Sequence, residues 1–147
     1  MAVITPADIS LEVTPLVETP TGFLRASAVG VESGAAFDEV LLAIIAAVHD
    51  HLAAYNVSPT SPNPRHALAA KALARYYAAE QVLATARTGS VKDPEGASVT
   101  LSAGDLAHWE RMRADGLARA EALLGQIPGP PRSGVYFPSV RLRREAT

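Results

Sequence analysis

The sequence predicts a mainly α fold: a small bundle of three long helices plus a short N-terminal helix, with a β-hairpin between the last two helices and an extended C-terminal arm. Three observations predict it. Apolar residues recur at three- and four-residue steps through three long segments. Alanine supplies 28 of the 147 residues while aromatics make up only 5%, a balance that favours close-packed helices over a β-sandwich. Clusters of proline and glycine separate the periodic segments. With 48% hydrophobic and 19% charged residues, the chain has the material for one core. We place the domain at 1–130 and the arm at 131–147.

Thr5-Pro6-Ala7-Asp8 starts a short helix over about 6–13: Thr5 caps, Pro6 suits the first helical position, and the Asp8 carboxylate reaches back. Residues 14–32, interrupted by Pro15, Pro20 and Gly22, read as a loop or arm with one short strand near Phe23–Val31. The first long helix follows over about 34–55. Phe37, Val40, Leu41, Ile44, Ile45, Val48, Leu52 and Tyr55 form its stripe, and Leu42, Ala43, Ala46 and Ala47 widen it well past one face. A helix so apolar needs cover on more than one side, and another subunit is a candidate source.

Residues 56–64 carry three prolines and form a stiff connector. Asn63 caps and Pro64 opens the second long helix, about 64–87. Leu68, Ala72, Tyr76, Ala79, Leu83 and Ala86 share one face, with Leu73, Tyr77 and Val82 beside it. Thr88-Gly89 ends it. Ser90–Lys92 and Ala97–Leu101 then flank Asp93-Pro94-Glu95-Gly96, a type I turn signal. Two strands alone are marginal in water, so the hairpin (Val91, Lys92, Asp93, Glu95 and Val99) is expected to sit at a subunit boundary. Ser102, with Asp105 three positions on, opens the third long helix, which runs to about Gln126. Leu106, Trp109, Met112, Leu117, Ala120, Leu123 and Leu124 are its apolar members. Gly116 weakens its middle by ~1 kcal/mol relative to alanine, and so marks a tight crossing.

Charge is unevenly spread. Residues 1–73 hold seven acids against three bases, and the last sixteen residues hold four arginines against one acid. So acidic a body does not support a dominant duplex-binding surface, and no basic patch is expected on it. There is no cysteine, which excludes disulfides, thiolate metal sites and a cysteine nucleophile. No secretory signal is visible at the N-terminus, and the longest apolar run, Val40 to Val48, is half a bilayer span or less. Asn56-Val57-Ser58 matches a glycosylation sequon, without secretion to make it meaningful.

Candidate chemistry is sparse. His49 and His51 are two apart on a helix and point about 200° away from each other, so they cannot share a metal. Asp105 and His108 lie one turn apart, but a di-metal bundle needs a second such pair, which Glu39, Asp50 and Glu80 do not make. No phosphate loop, nucleophile elbow or zinc-protease motif exists. Trp109 reads as a core residue, with a cation–π contact to Arg113 as the other reading. Pro59-Thr60-Ser61-Pro62 fits a P-x-x-P ligand but serves equally as a rigid connector. No catalytic residue, cofactor or metal is expected.

The C-terminal arm carries Val135, Tyr136, Phe137, Val140 and Leu142 outside the predicted helices, interleaved with Arg141, Arg143 and Arg144. Two aromatic side chains do not repay the backbone entropy of ordering so long a segment. A partner is therefore expected to hold it, with the arginines pairing a neighbour's acids. Docking of the arm on its own domain is the alternative, and nucleic-acid contact is the weaker reading of the arginines.

The order of features has a parallel. The Thr5–Asp8 start, the apolar helix ending in Tyr55, Ala-Leu-Ala-Arg-Tyr-Tyr (Ala72–Tyr77), the Ser90–Leu101 hairpin and Ala-Glu-Ala-Leu-Leu (Ala120–Leu124) together resemble the small head–tail connector, or adaptor, proteins of tailed bacteriophages and related gene-transfer particles. The resemblance covers roughly residues 3–127. It implies a helical homo-oligomeric ring, typically of about twelve copies, beneath the portal protein at the head–tail junction of a virion assembled in the bacterial cytoplasm. Such a ring extends the DNA channel, passes DNA without sequence readout, meets tail or stopper proteins, and touches no membrane. In that family C-terminal arms reach into the portal or a neighbouring subunit. The other reading of the same residues is a free-standing helical binding or regulatory protein whose tail docks on a partner.

Overall fold

The structure, a computed structural model, describes residues 2–87 and 102–125. Four α-helices follow one another: α1 (Pro6–Ile9), α2 (Ala35–Ala53), α3 (Pro64–Arg87) and α4 (Ala103–Leu124), with a 3-10 helix at Ala26–Val29. Among the described residues β-structure is limited to isolated bridges, Ser10 with Leu24 and Thr14 with Val17. The expected hairpin lies outside the described residues, as does the C-terminal arm.

α3 is the centre of the bundle. It packs against α2, α1 and the 3-10 helix, and most extensively against α4. Its composition explains this position. Ala69, Ala70, Ala72, Ala74, Ala78 and Ala79 are all buried, together with Leu73, Val82 and Leu83. Side chains this short let neighbouring helix axes approach to the near end of the 8–10 Å range. Of the expected face and the residues beside it, Ala72, Leu73, Ala79, Val82 and Leu83 are buried; burial spreads further, to Ala69, Ala70, Ala74 and Ala78, while Leu68 stays exposed.

α2 buries Phe37, Leu41, Ile44, Ile45, Val48 and Leu52, each large side chain contributing ~1.5–3 kcal/mol. It ends two residues before Tyr55. Asn56 takes a left-handed conformation (φ 58°), and the Val57 N–H donates to the Leu52 carbonyl at 3.1 Å. That six-to-one bond is a Schellman stop, with Val57 buried behind it. Asn56 is thus a helix terminator rather than the first residue of a connector. The connector is tied down from outside: the Val3 N–H donates to the Pro59 carbonyl at 2.8 Å. Asn63 caps α3 as expected, its Oδ1 accepting from the Arg65 N–H at 2.9 Å.

The N-terminal third departs most from expectation. The Asp8 carboxylate accepts from both the N–H and the hydroxyl of Thr5 (2.9 and 3.0 Å), so the predicted start is correct. The helix nevertheless stops at Ile9 rather than about residue 13. The carbonyls of Ile9 and Ser10 are taken by the N–H groups of Phe23, Leu24 and Gly22. A pairing with residues twelve or more positions away wins over another helical turn. The strand expected near Phe23–Val31 is replaced by the 3-10 helix: the Glu12 carboxylate accepts from the Ala26 N–H at 2.6 Å, and Gly30 (φ 73°) closes the turn. This segment is core rather than arm, burying Ile4, Ile9, Val17, Leu24, Ala26 and Val29.

α4 begins with Ser102 Oγ accepting from the Asp105 N–H at 3.1 Å. It is a surface helix, burying Gly116, Ala120 and Leu124, with Trp109, Leu117 and Leu123 packed partly against the core. Gly116 does mark a tight crossing: a β-carbon there would stand 2.7 Å from the Ala72 carbonyl oxygen.

Candidate functional site

The α3–α4 crossing leaves a groove on one side. α3 presents Leu68, Lys71, Ala72 and Arg75, spaced 0, 3, 4 and 7. α4 presents His108, Arg111, Met112, Asp115, Gly116 and Arg119, spaced 0, 3, 4, 7, 8 and 11. Each set is one stripe of its helix, and the close approach at Gly116 brings the stripes together around about 590 Å³ of open space. The lining is apolar at Leu68, Ala72, Met112 and Gly116 and cationic at Lys71, Arg75, Arg111 and Arg119, with Asp115 the one acid. The ion pair found among the described residues, Arg113 to Glu80 at 3.6 Å, uses none of those four cations. Lys71 and Arg75 also reach a smaller adjoining hollow with Asp8, Thr21, Gly22 and Phe23, where the Arg75 guanidinium stands 5.3 Å from the centre of the Phe23 ring.

The groove overturns the expectation that the body carries no basic patch. A domain whose described residues hold twelve acids and eight bases gathers four of those bases on one surface. Sequence reasoning missed it because the charges come from helices more than thirty residues apart. The readable signal was weak: Lys71/Arg75 and Arg111/Arg119 each recur on one helix face. Arg113 is turned to Glu80, and Trp109 contacts His108 edge-on at 5.5 Å.

A second surface lies on α2. Glu39, Leu42, Ala43, Ala46 and Asp50, spaced 0, 3, 4, 7 and 11, are all exposed, Leu42 to 49%. Here is the excess apolar breadth that the sequence showed, uncovered by any described residue. Leu11, Val13 and Leu16 of the N-terminal segment are also exposed.

A polar contact crosses the α2–α3 seam. His51 Nδ1 and the Tyr77 hydroxyl share a hydrogen bond of 3.0 Å, His51 stacks on Tyr55, and Tyr77 meets Tyr76 edge-on. Burial, reinforced by Tyr76, Glu80 and Asp50, pushes the Tyr77 phenol above its ordinary 10.0. The fold therefore favours the neutral phenol. Its contribution is complete below pH 10 and is lost as pH rises through the higher folded value. Tyr77→Phe is expected to lower stability by about 1 kcal/mol at neutral pH and to flatten the loss above pH 10, read as urea midpoints between pH 7 and 11. An unchanged alkaline slope in the variant would assign that loss elsewhere.

His49 turns away from His51 as expected, its Nε2 buried without a partner. No group of three potential metal ligands occurs among the described residues. No helix there is long and apolar enough to cross a membrane. The arm residues Val135, Tyr136, Phe137, Val140, Arg141, Leu142, Arg143 and Arg144, and the hairpin residues Val91, Lys92, Asp93, Glu95 and Val99, lie outside the described residues. Comparison with known proteins finds no match, whether among family models, curated proteins or solved structures.

Proposed function

We propose that this chain is a structural head–tail adaptor, assembled as a ring beneath a phage-type portal, where it extends the DNA channel and joins head to tail. The observation that carries the reading is the uncovered apolar face of α2. Leu42, Ala43 and Ala46 are left exposed by the described residues, on a helix whose opposite side is packed. Contiguous apolar surface of this kind marks an interaction site, and a ring covers it by repeating one contact. The basic groove supplies a second surface of different chemistry on the same subunit. In this reading the Ser90–Leu101 hairpin completes its sheet against a neighbouring subunit, and the arm beyond Pro131 engages the portal or the next copy.

The test is location. An affinity label on the full chain, imaged by electron microscopy on native particles, is expected at the head–tail junction; a label elsewhere, or particles lacking the chain, overturns the assignment. Truncation after Gly129 is expected to leave the helical core folded by circular dichroism and to abolish incorporation into particles. Normal incorporation would remove the arm from the mechanism.

A further inference from the structure

We propose that the exposed α2 face of one copy seats in the α3–α4 groove of the next. The inference deepens the ring reading and rests on it for the presence of a neighbouring copy, but the choice of surfaces comes from their complementarity.

Length is the first match. Glu39 to Asp50 and His108 to Arg119 are each eleven residue steps, about 16 Å of helix. Shape is the second. The centre of the α2 face is Leu42, Ala43 and Ala46, so a helix presenting it can sink deeply. The groove offers Leu68, Ala72, Met112 and the bare backbone of Gly116 beneath. Charge is the third. Glu39 and Asp50 flank the apolar centre of α2, while Lys71, Arg75, Arg111 and Arg119 line the groove without ion pairs among the described residues. Asp115 is the one acid lining the groove itself, and Asp8 lies in the adjoining hollow. The sign of the groove also selects among occupants. The chain's own C-terminal segment, with Arg132, Arg141, Arg143 and Arg144 against Glu145, is repelled by it, whereas an acid-flanked helix is attracted.

The two surfaces differ, so the contact is heterologous: every copy offers one face and one groove, and repetition closes a ring or propagates a filament. Helix-in-groove docking of this kind reads through anchors at three- and four-residue spacing, which Glu39, Leu42, Ala43, Ala46 and Asp50 satisfy.

The absence of cysteine makes the test clean. Full-length Ala46→Cys and Leu68→Cys chains, mixed at high concentration and treated with a short bis-maleimide, are expected to give a covalent heterodimer. Either chain alone is expected to give far less. Charge reversal then assigns the contact. Arg75→Glu with Arg119→Glu, or Glu39→Lys with Asp50→Lys, is expected to weaken association about tenfold or more by sedimentation velocity. The chain carrying all four reversals is expected to recover most of it. All four residues are exposed; Arg75 lies over Phe23 and Asp50 bears on Tyr77, so circular dichroism melts of each variant separate folding from docking. No cross-link, equal cross-linking in the single-variant samples, or a fourfold variant as weak as the sum of its parts would each overturn the proposal. So would loss of the cross-link to a saturating single-stranded oligonucleotide whose binding needs the groove arginines but not Glu39 and Asp50. A particle label at the head–tail junction without the cross-link would sink this contact and leave the adaptor reading standing; the cross-link with a label elsewhere would do the reverse.

Discussion

Gly22→Ala is expected to cost about 3 kcal/mol or more, at the upper end of what overpacking does, and to lower the melting temperature by roughly 10 °C. A β-carbon at position 22 would stand 2.1 Å from the Ile9 carbonyl carbon, 2.3 Å from its oxygen and 2.6 Å from the Ser10 nitrogen. All three are backbone atoms, so no rotamer change relieves the clash. The only response is to pull residues 22–24 away from 9–11. That breaks the bonds from Gly22, Phe23 and Leu24 to Ser10 and Ile9 and lifts Leu24 and Ile9 from the core. Denaturant unfolding followed by circular dichroism measures the loss. A midpoint within error of the parent would mean that this crossing is not part of the fold. Gly104→Ala is the control: nothing but Ser102 Oγ, at 3.8 Å, lies near its would-be β-carbon, and the variant is expected to gain a few tenths of a kcal/mol from helix propensity.

Gly116→Ala carries the second large effect, and here two terms compete. Alanine in the middle of α4 gains ~1 kcal/mol of propensity. Against it, the new methyl meets the Ala72 carbonyl oxygen at 2.7 Å and the Tyr76 nitrogen at 3.1 Å. Both belong to the backbone of α3, so the helices must separate, and the loss extends along their whole contact. We expect a net cost of about 1–2 kcal/mol for alanine, and more for Gly116→Val, whose branched side chain also forfeits propensity. The functional consequence exceeds the stability cost. Spreading α3 from α4 and raising the groove floor is expected to reduce subunit cross-linking even below the unfolding temperature. A variant that unfolds earlier yet cross-links normally would separate the crossing from the docking surface.

The two glycines show how unevenly the fold could be read from the chain. Gly116 was legible as a tight crossing because a glycine in an otherwise strong helical pattern needs a packing reason. Gly22 read only as part of a loop, because the residues that exclude its side chain belong to a different turn. The caps followed the same division. Thr5 with Asp8, Asn63 with Arg65 and Ser102 with Asp105 satisfy partners within three residues, and each was readable. Glu12 capping the 3-10 helix at Ala26 spans fourteen residues and was not; its absence from the reading turned a helical turn into an expected strand.

The groove follows the same logic. Lys71 and Arg75, or Arg111 and Arg119, are visible as stripes along one helix, but summing charge along the chain hides them beneath a net of −2. Only the crossing of α3 and α4 makes them neighbours. The α2 face was legible in outline, since Leu42, Ala43 and Ala46 visibly exceed one stripe. That they remain uncovered by the described residues required the packing.

The chain alone determined the helical class, the positions of α2, α3 and α4 to within about two residues, and the excess apolar breadth of α2. These depend on periodicity and on caps that bond within a turn, both of which are local. The tertiary structure alone decided that the N-terminal segment joins the core through Ile4, Ile9, Val17, Leu24, Ala26 and Val29, that α3 is the central helix, and that four scattered cations share one groove. Those outcomes rest on contacts between residues far apart in sequence. Their energies depend on which backbones approach, and a one-dimensional pattern does not carry that information.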